Sequence, residues 1–271
     1  MNIKIPFRRE EHFMIKPDEK TAIVLWSHAG NKVYSAEETR FLEMWSGVKT
    51  ADYRFSRDRA LHLTGILLAE YGAIVYDGRT HRMEKNPMGK PYYKDSGLHF
   101  NITHSGDIVA CGFSLDPIGA DVECPKRSIE DVVKHFFSEE EIAWISKDGF
   151  SNDRAVLLWS YKESYLKQKG SSVGEIKKLK PMVCEGQPVS NYEDVRLFRE
   201  YTGTAEGDSR KESGCGHAIV ACTAPGIEKV IYRQIEAEEL SQLIKEFRSL
   251  NPFGEERFHT LVEKKEPVWY N

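Results

Sequence analysis

Apolar positions in this chain fall into runs and arcs that separate strands from helices. Ala22 to Trp26 is continuously apolar, as a buried strand is, and His28-Ala29-Gly30-Asn31 follows as a turn. Ser35 and Glu38 have the spacing of a capping box ahead of Phe41, Leu42 and Trp45, which predicts a helix from Ser35. A second helix, Ser56 to Tyr71, sets Ala60, Leu63, Leu67 and Tyr71 on one face and closes at Gly72. Ala73 to Tyr76 reads as a short strand and the polar run Asp77 to Asp95 as a loop. Ile108 to Phe113, rich in β-branched and small residues and bounded by Gly106 and Asp116-Pro117, is a strand between two turns.

Beyond it, Gly119 to Glu123 is a further strand and Ser128 opens a short helix. Ser138 and Glu141 form a second capping box, before Ile142 and Trp144. The longest helix runs from about Asn152 to Lys169 and stops at Gly170. Its apolar arc holds Ala155, Leu158, Trp159, Tyr165 and Leu166, and Lys162 lies inside that arc, so either the helix is misread there or a carboxylate stands opposite it. Val173, Ile176 and Leu179 suggest an extended segment. Arg199 to Gly216 reads as a mobile loop, Glu236 to Leu250 as a helix closing the second half, and Phe258, Trp269 and Tyr270 stand in a tail.

Ile219-Val220-Ala221-Cys222 duplicates Ile108-Val109-Ala110-Cys111, and each copy ends a stretch that reads helix and then strands. The agreement in element order points to an internal repeat of two α+β halves, 1–115 and 116–271.

Composition narrows the setting. With 40% hydrophobic and 30% charged residues and a net charge of -4, the chain reads as a globular protein with no general basis for binding nucleic acid. Cys111, Cys124, Cys184, Cys215 and Cys222 contain no Cys-x-x-Cys pair, so neither a zinc site nor a disulfide framework is suggested, and a reducing cytoplasm fits. The charged run from Lys4 to Lys16 lacks the apolar core of a signal peptide. No stretch has the length of a membrane span.

The candidate chemistry lies in three places. Asp121 and Glu123, two apart on one strand, point to the same face, where their repulsion asks for a cation; Mg²⁺, which takes oxygen ligands, is the simplest candidate. Glu163 and Lys167 are surface neighbours on the long helix. His104, read as part of a turn between Thr103 and Ser105-Gly106, can reach a phosphate. Arg54, Arg57 and Arg59 crowd a helix start, where cations oppose the helix dipole and call for an outside anion. Lys90, fixed between Gly89 and Pro91, is a plausible phosphate contact, whereas Lys85 reads as surface charge.

Taken together, Gly89-Lys90-Pro91, Asn101-Ile102-Thr103-His104-Ser105-Gly106, Pro117 to Glu123, Phe136 to Glu141 and Trp159 to Lys167 resemble the ordered motifs of the Sfp-type 4′-phosphopantetheinyl transferases. The resemblance covers residues 50 to 170. It implies an α+β fold of two similar halves about a pseudo-two-fold axis, with the active site between them. It implies transfer of the 4′-phosphopantetheine arm of coenzyme A to a serine of an apo acyl or peptidyl carrier protein, releasing 3′,5′-ADP, by a Mg²⁺-dependent cytoplasmic monomer. Asp121, Glu123 and Glu163 match the family's metal ligands. Glu163 and Lys167 match its catalytic pair, and Arg59, Lys90, Thr103 and His104 its coenzyme A contacts. Thr103 stands where serine is common, with the hydroxyl kept. Carrier docking is expected near Phe136 to Trp144. Two rival readings are another Mg²⁺-dependent phosphotransferase or nucleotide hydrolase, disfavoured by the lack of a Gly-x-x-x-x-Gly-Lys-Ser/Thr loop, and a non-catalytic coenzyme A or carrier-binding module.

Overall fold

The computed structural model describes residues 17–29, 32–46, 53–77, 81, 83–87, 89–126, 128–202 and 216–249. The charged run up to Lys16, the end of the Gly30-Asn31 turn, Cys215, residues 203–215 of the expected mobile loop and the aromatic tail lie outside the described residues.

The chain opens with β1 (Thr21–His28), α1 (Ala36–Ser46) and α2 (Ser56–Asp77), then a small hairpin of β2 (Met83–Lys85) and β3 (Pro91–Tyr93). β4 (His99–Ser105), β5 (Ile108–Ser114) and β6 (Gly119–Glu123) follow, then α3 (Glu130–Phe136), α4 (Glu139–Ile145) and α5 (Asn152–Lys169). A 3₁₀ turn at Val173–Lys178 and short strands β7 (Val183–Cys184), β8 (Gln187–Pro188) and β9 (Asn191–Tyr192) lead to β10 (Val195–Tyr201), β11 (Ala218–Thr223), β12 (Lys229–Gln234) and α6 (Ala237–Ser249).

Two four-stranded sheets result, in the orders β12-β1-β5-β4 and β6-β11-β10-β9. The class is α+β, as expected. The set β1-β5-β4 and the set β6-β11-β10 match in order and in antiparallel pairing, and each carries a long helix, α2 or α5. The duplicated tetrapeptide performs one task twice. Val109 and Cys111 enter the core beneath α2, and Val220 and Cys222 the core beneath α5. Ile108, Ala110, Ile219 and Ala221, on the alternate faces, meet in a third cluster with Val24, Trp26 and Val122. Strand periodicity of two makes one sequence serve both layers.

Several expectations change. The strand predicted at Ala73 to Tyr76 is the last turn of α2, which runs through Gly72 to Asp77. Gly72 is there for proximity: a Cβ would lie 2.2 Å from Phe113 Cζ, so the residue lets helix and sheet touch. The polar run Asp77 to Asp95 contains the β2–β3 hairpin, with Glu84 accepting hydrogen bonds from Tyr92 and Lys94. Val173 to Lys178 is a 3₁₀ turn, begun by Ser172 accepting from the Gly174 amide at 3.3 Å. β10 claims Arg199 to Tyr201 from the expected loop. α6 does not close the second half, because Ile235, Leu240, Leu243 and Ile244 enter the core of α1, α2 and the first sheet, while β12 pairs in parallel with β1.

Both capping boxes form, Ser35 with Glu38 and Ser138 with Glu141. The carboxylate expected opposite Lys162 is Glu141: the two side chains are almost wholly buried, with Lys162 Nζ 3.0 Å from Glu141 Oε1.

Candidate functional site

β4 carries polar residues at alternate positions, and the side chains of Asn101, Thr103 and Ser105 bridge to β6. Asn101 Oδ1 accepts from the Ala120 amide at 2.8 Å, Thr103 Oγ1 donates to Asp121 Oδ1 at 3.2 Å, and Ser105 Oγ donates to Glu123 Oε2 at 2.9 Å. β4 and β6 belong to different sheets, so these bonds seam the two sheets along one line. On its other side β6 presses against α5. A Cβ on Gly119 would lie 1.9 Å from the carbonyl oxygen of Ser164, and only glycine permits that approach. Asp121, two residues on, therefore meets the last turns of α5.

There the acids converge on a lysine. Lys167 Nζ lies 2.5 Å from Asp121 Oδ1 and 3.1 Å from Glu163 Oε2, and it donates to Thr103 Oγ1 at 3.3 Å. Burial raises the carboxyl pKa of Asp121, against the pull of Lys167. Burial likewise raises those of Glu123 and Glu163, with Glu163 adding repulsion at Glu123 and Asp121 adding it at Glu163. The three carboxyls thus feel one another, and one ammonium stands among them. Among the described residues no three His, Cys, Asp or Glu side chains are arranged to hold a metal ion, since Lys167 takes the place between Asp121 and Glu163. The donor set nevertheless suits a hard divalent cation. Asp121 is 2% exposed, its Oδ2 makes no hydrogen bond of good geometry, and the charge of the set exceeds what one lysine neutralises.

His104 is itself exposed and lies on the opposite face of β4, the one whose Phe100 and Ile102 pack under α2, rather than in a turn; the turn begins at Gly106. Partial burial, then the charge of Lys167, lowers its imidazole pKa, while Asp58 opposes them. Close by on α2, Arg59 is half-buried and its Nε has no hydrogen-bond partner; His62 Nε2 is in the same position. Burial, then Lys85 and His104, lower the pKa of His62, which puts His62, Lys85 and His104 in one neighbourhood. Arg54 and Arg57 remain exposed. Lys90 is engaged differently. Its Nζ donates to the carbonyl oxygens of Lys167 at 2.7 Å and Ile118 at 3.4 Å, beside a cleft of about 400 Å³ that Pro91, Tyr92, His99 and Gln168 also line. Lys90 so ties the end of α5 to the start of β6, and no bond joins it to His104.

Residues 117–206 match the 4′-phosphopantetheinyl transferase superfamily. The chain is 40% identical over 148 residues to the 4′-phosphopantetheinyl transferase Sfp of Bacillus subtilis, covering 51% of this chain and 65% of that protein. It is 30% identical over 149 residues to a putative 4′-phosphopantetheinyl transferase of Haemophilus influenzae, 51% of this chain and 62% of the relative. A third relative, HetI of Nostoc, is 25% identical over 46% of this chain and 54% of its own length. Over about half of its length the chain is similar to the Sfp-type 4′-phosphopantetheinyl transferases. The resemblance carried by its motifs is thereby borne out, although the aligned stretch spans less than two thirds of each of these relatives.

Sequence reasoning assigned this chain its acids and lysine but overlooked other residues of the neighbourhood. His62, one helical turn after Arg59, carried the signal of i,i+3 spacing. Asn101 and Ser105 share a strand face with Thr103, which a period of two would have revealed had 99–105 been read as a strand. Lys85, read as surface charge, is exposed, and its charge reaches His62.

Proposed function

We propose that this protein transfers the 4′-phosphopantetheine arm of coenzyme A to a serine of an apo carrier protein. One observation carries the reading: the carboxylates of β6 and α5 meet at Lys167, 46 residues along the chain from Asp121, as a site for a pyrophosphate and its counter-ion requires. The family relationship supports it.

In this reaction the serine Oγ bonds to the β-phosphorus of coenzyme A as the bond to the bridging oxygen breaks, and 3′,5′-ADP departs. Such transfer depends mainly on positioning and charge neutralisation. Asp121, Glu123 and Glu163 would hold Mg²⁺, which when bound offsets the charge of the pyrophosphate. Glu163, whose pKa burial has raised, takes the serine proton directly or through a water. Lys167 supplies positive charge on the leaving side. Arg59 and His104, with His62 and Lys85 beside them, meet the 3′-phosphoadenosine end; Thr103 orients Asp121 and Lys167 by hydrogen bonds. Lys90 borders the cleft between β3 and the end of α5. Phe136 and Phe137, half-buried against Trp159, border the face proposed for the carrier.

Among the described residues no helix is long and apolar enough to cross a membrane, and Cys111, Cys124, Cys184 and Cys222 are free thiols. The free thiols suit a reducing cytoplasm.

The test incubates the protein with coenzyme A, Mg²⁺ and apo carriers of fatty-acid, polyketide and peptide-synthetase type, and reads the mass of each carrier. A gain of the arm is expected with at least one, and none with any of them ends the reading. Asp121→Ala and Glu163→Ala are each expected to abolish the gain while the circular-dichroism spectrum is kept; an active Asp121→Ala would remove the metal assignment.

A further inference from the structure

We propose that Lys167 is an exchangeable internal counter-ion, whose ammonium holds the acid cluster together until a divalent cation displaces it from Asp121. The inference rests on the transferase reading and adds a step to it. Mg²⁺ and Lys167 compete for the same carboxylate oxygens, and the lysine released by the ion becomes the one that faces the pyrophosphate.

The geometry favours exchange over a fixed ion pair. Lys167 bonds two of the three carboxylates assigned to the metal and the hydroxyl of Thr103, so its ammonium is coordinated by oxygens much as a small cation is. Asp121 is only half used: Oδ1 receives both Lys167 and Thr103, while buried Oδ2 makes no hydrogen bond of good geometry, with the Ser160 hydroxyl beside the carboxylate. A carboxylate held this way is anchored on one oxygen and open on the other. The Lys167 side chain is 28% exposed, against 2% for Asp121, so the flexible stem can withdraw the charge toward the surface without disturbing α5. A fixed pair looks different in this same helix. Lys162 is 2% exposed, and its partner Glu141 is wholly buried, with both oxygens satisfied, Oε1 also by the Met182 amide and Oε2 by the Ser138 amide. α5 thus carries one lysine whose partner carboxylate is fully bonded and one whose partner Asp121 keeps an oxygen open.

The inference separates binding from stability. Lys167→Met, with neither coenzyme A nor carrier present, should bind Mn²⁺ about tenfold more tightly than the wild-type protein, because no charged hydrogen bond must first be broken. The same variant without metal should melt at a lower temperature. A lysine with a merely structural role would weaken both. In the wild-type protein, adding Mn²⁺ should increase labelling of the Lys167 amine by an acylating reagent, read by peptide mass spectrometry, so the test stands even if Lys167→Met does not fold. Unchanged or weaker Mn²⁺ binding by a folded Lys167→Met overturns the inference, as does labelling that stays level or falls. If the wild-type protein transfers the arm with Mg²⁺ while either result goes the wrong way, the inference fails alone. If it neither binds Mn²⁺ nor transfers the arm, the transferase reading fails with it.

Discussion

Lys162 and Lys167 lie on one helix and both turn their charge inward, but the two ammonium groups meet carboxylates in different states. Glu141 is saturated by Lys162, the Ser138 amide and the Met182 amide, and it is sealed from water, so it serves to lock α4 on α5. Lys162→Met would strand that carboxylate. A loss of about 3 kcal/mol or more in urea unfolding is expected, and a loss below about 1 kcal/mol would show that the pair is not what joins the helices. His104 differs again. Partial burial and the Lys167 charge depress its pKa below the usual 6.5, so the free imidazole is neutral at pH 7. A bound phosphate raises that pKa, so binding takes up a proton. Affinity for coenzyme A should therefore grow as pH falls from the bound-state pKa to the lowered free one, and level off below it. Calorimetric titration at several pH values should show this slope in the wild-type protein and its absence, with weaker binding, in His104→Ala. An unchanged affinity would take His104 out of the site.

At the scale of elements, two glycines decide how closely helices approach sheets. Gly72 admits the ring of Phe113, and its place near the end of an apolar arc made it look like a helix stop. Nothing local distinguishes a glycine that ends a helix from one that lets another element touch it. Gly119 brings β6 onto the backbone of α5, and the meeting of Asp121 with Lys167 depends on that approach. Gly119→Ala should cost about 2 kcal/mol of stability and also lower transfer activity, since β6 must shift away from α5 to seat the methyl group. Melting temperature and the carrier mass assay check the two effects, and a stable, fully active variant would show that the approach is dispensable. Elements with strong local signals were legible: the two capping boxes and α5, which Gly170 closes at a φ of 68°. β4 was not read as a strand, because Asn101, Thr103 and Ser105 make its buried face polar. That polarity is satisfied by β6, by the Cys124 amide just beyond it and by the α5 lysine.

Across the whole molecule, the last described strand and helix return to the first sheet. β12 lies parallel to β1, and α6 fills the core above it with Leu240, Leu243 and Ile244. A chain ending at Gly226 should lose cooperative thermal unfolding, because the core under α2 would be open on one side; an unchanged transition would show that the first half stands without them. Local pattern determined the helices with caps, the apolar strands, the repeated tetrapeptide and the identity of the residues that could carry charge chemistry, since all of these follow from spacing along a few turns or a single strand. Only the tertiary structure decided that Lys167 stands between Asp121 and Glu163, that Thr103 and Ser105 face the acids while His104 faces away, that Lys90 binds backbone carbonyls, and that α6 belongs to the first half. Each of these depends on groups far apart in sequence approaching to within a hydrogen bond or a van der Waals contact, and no periodicity along the chain encodes such a distance.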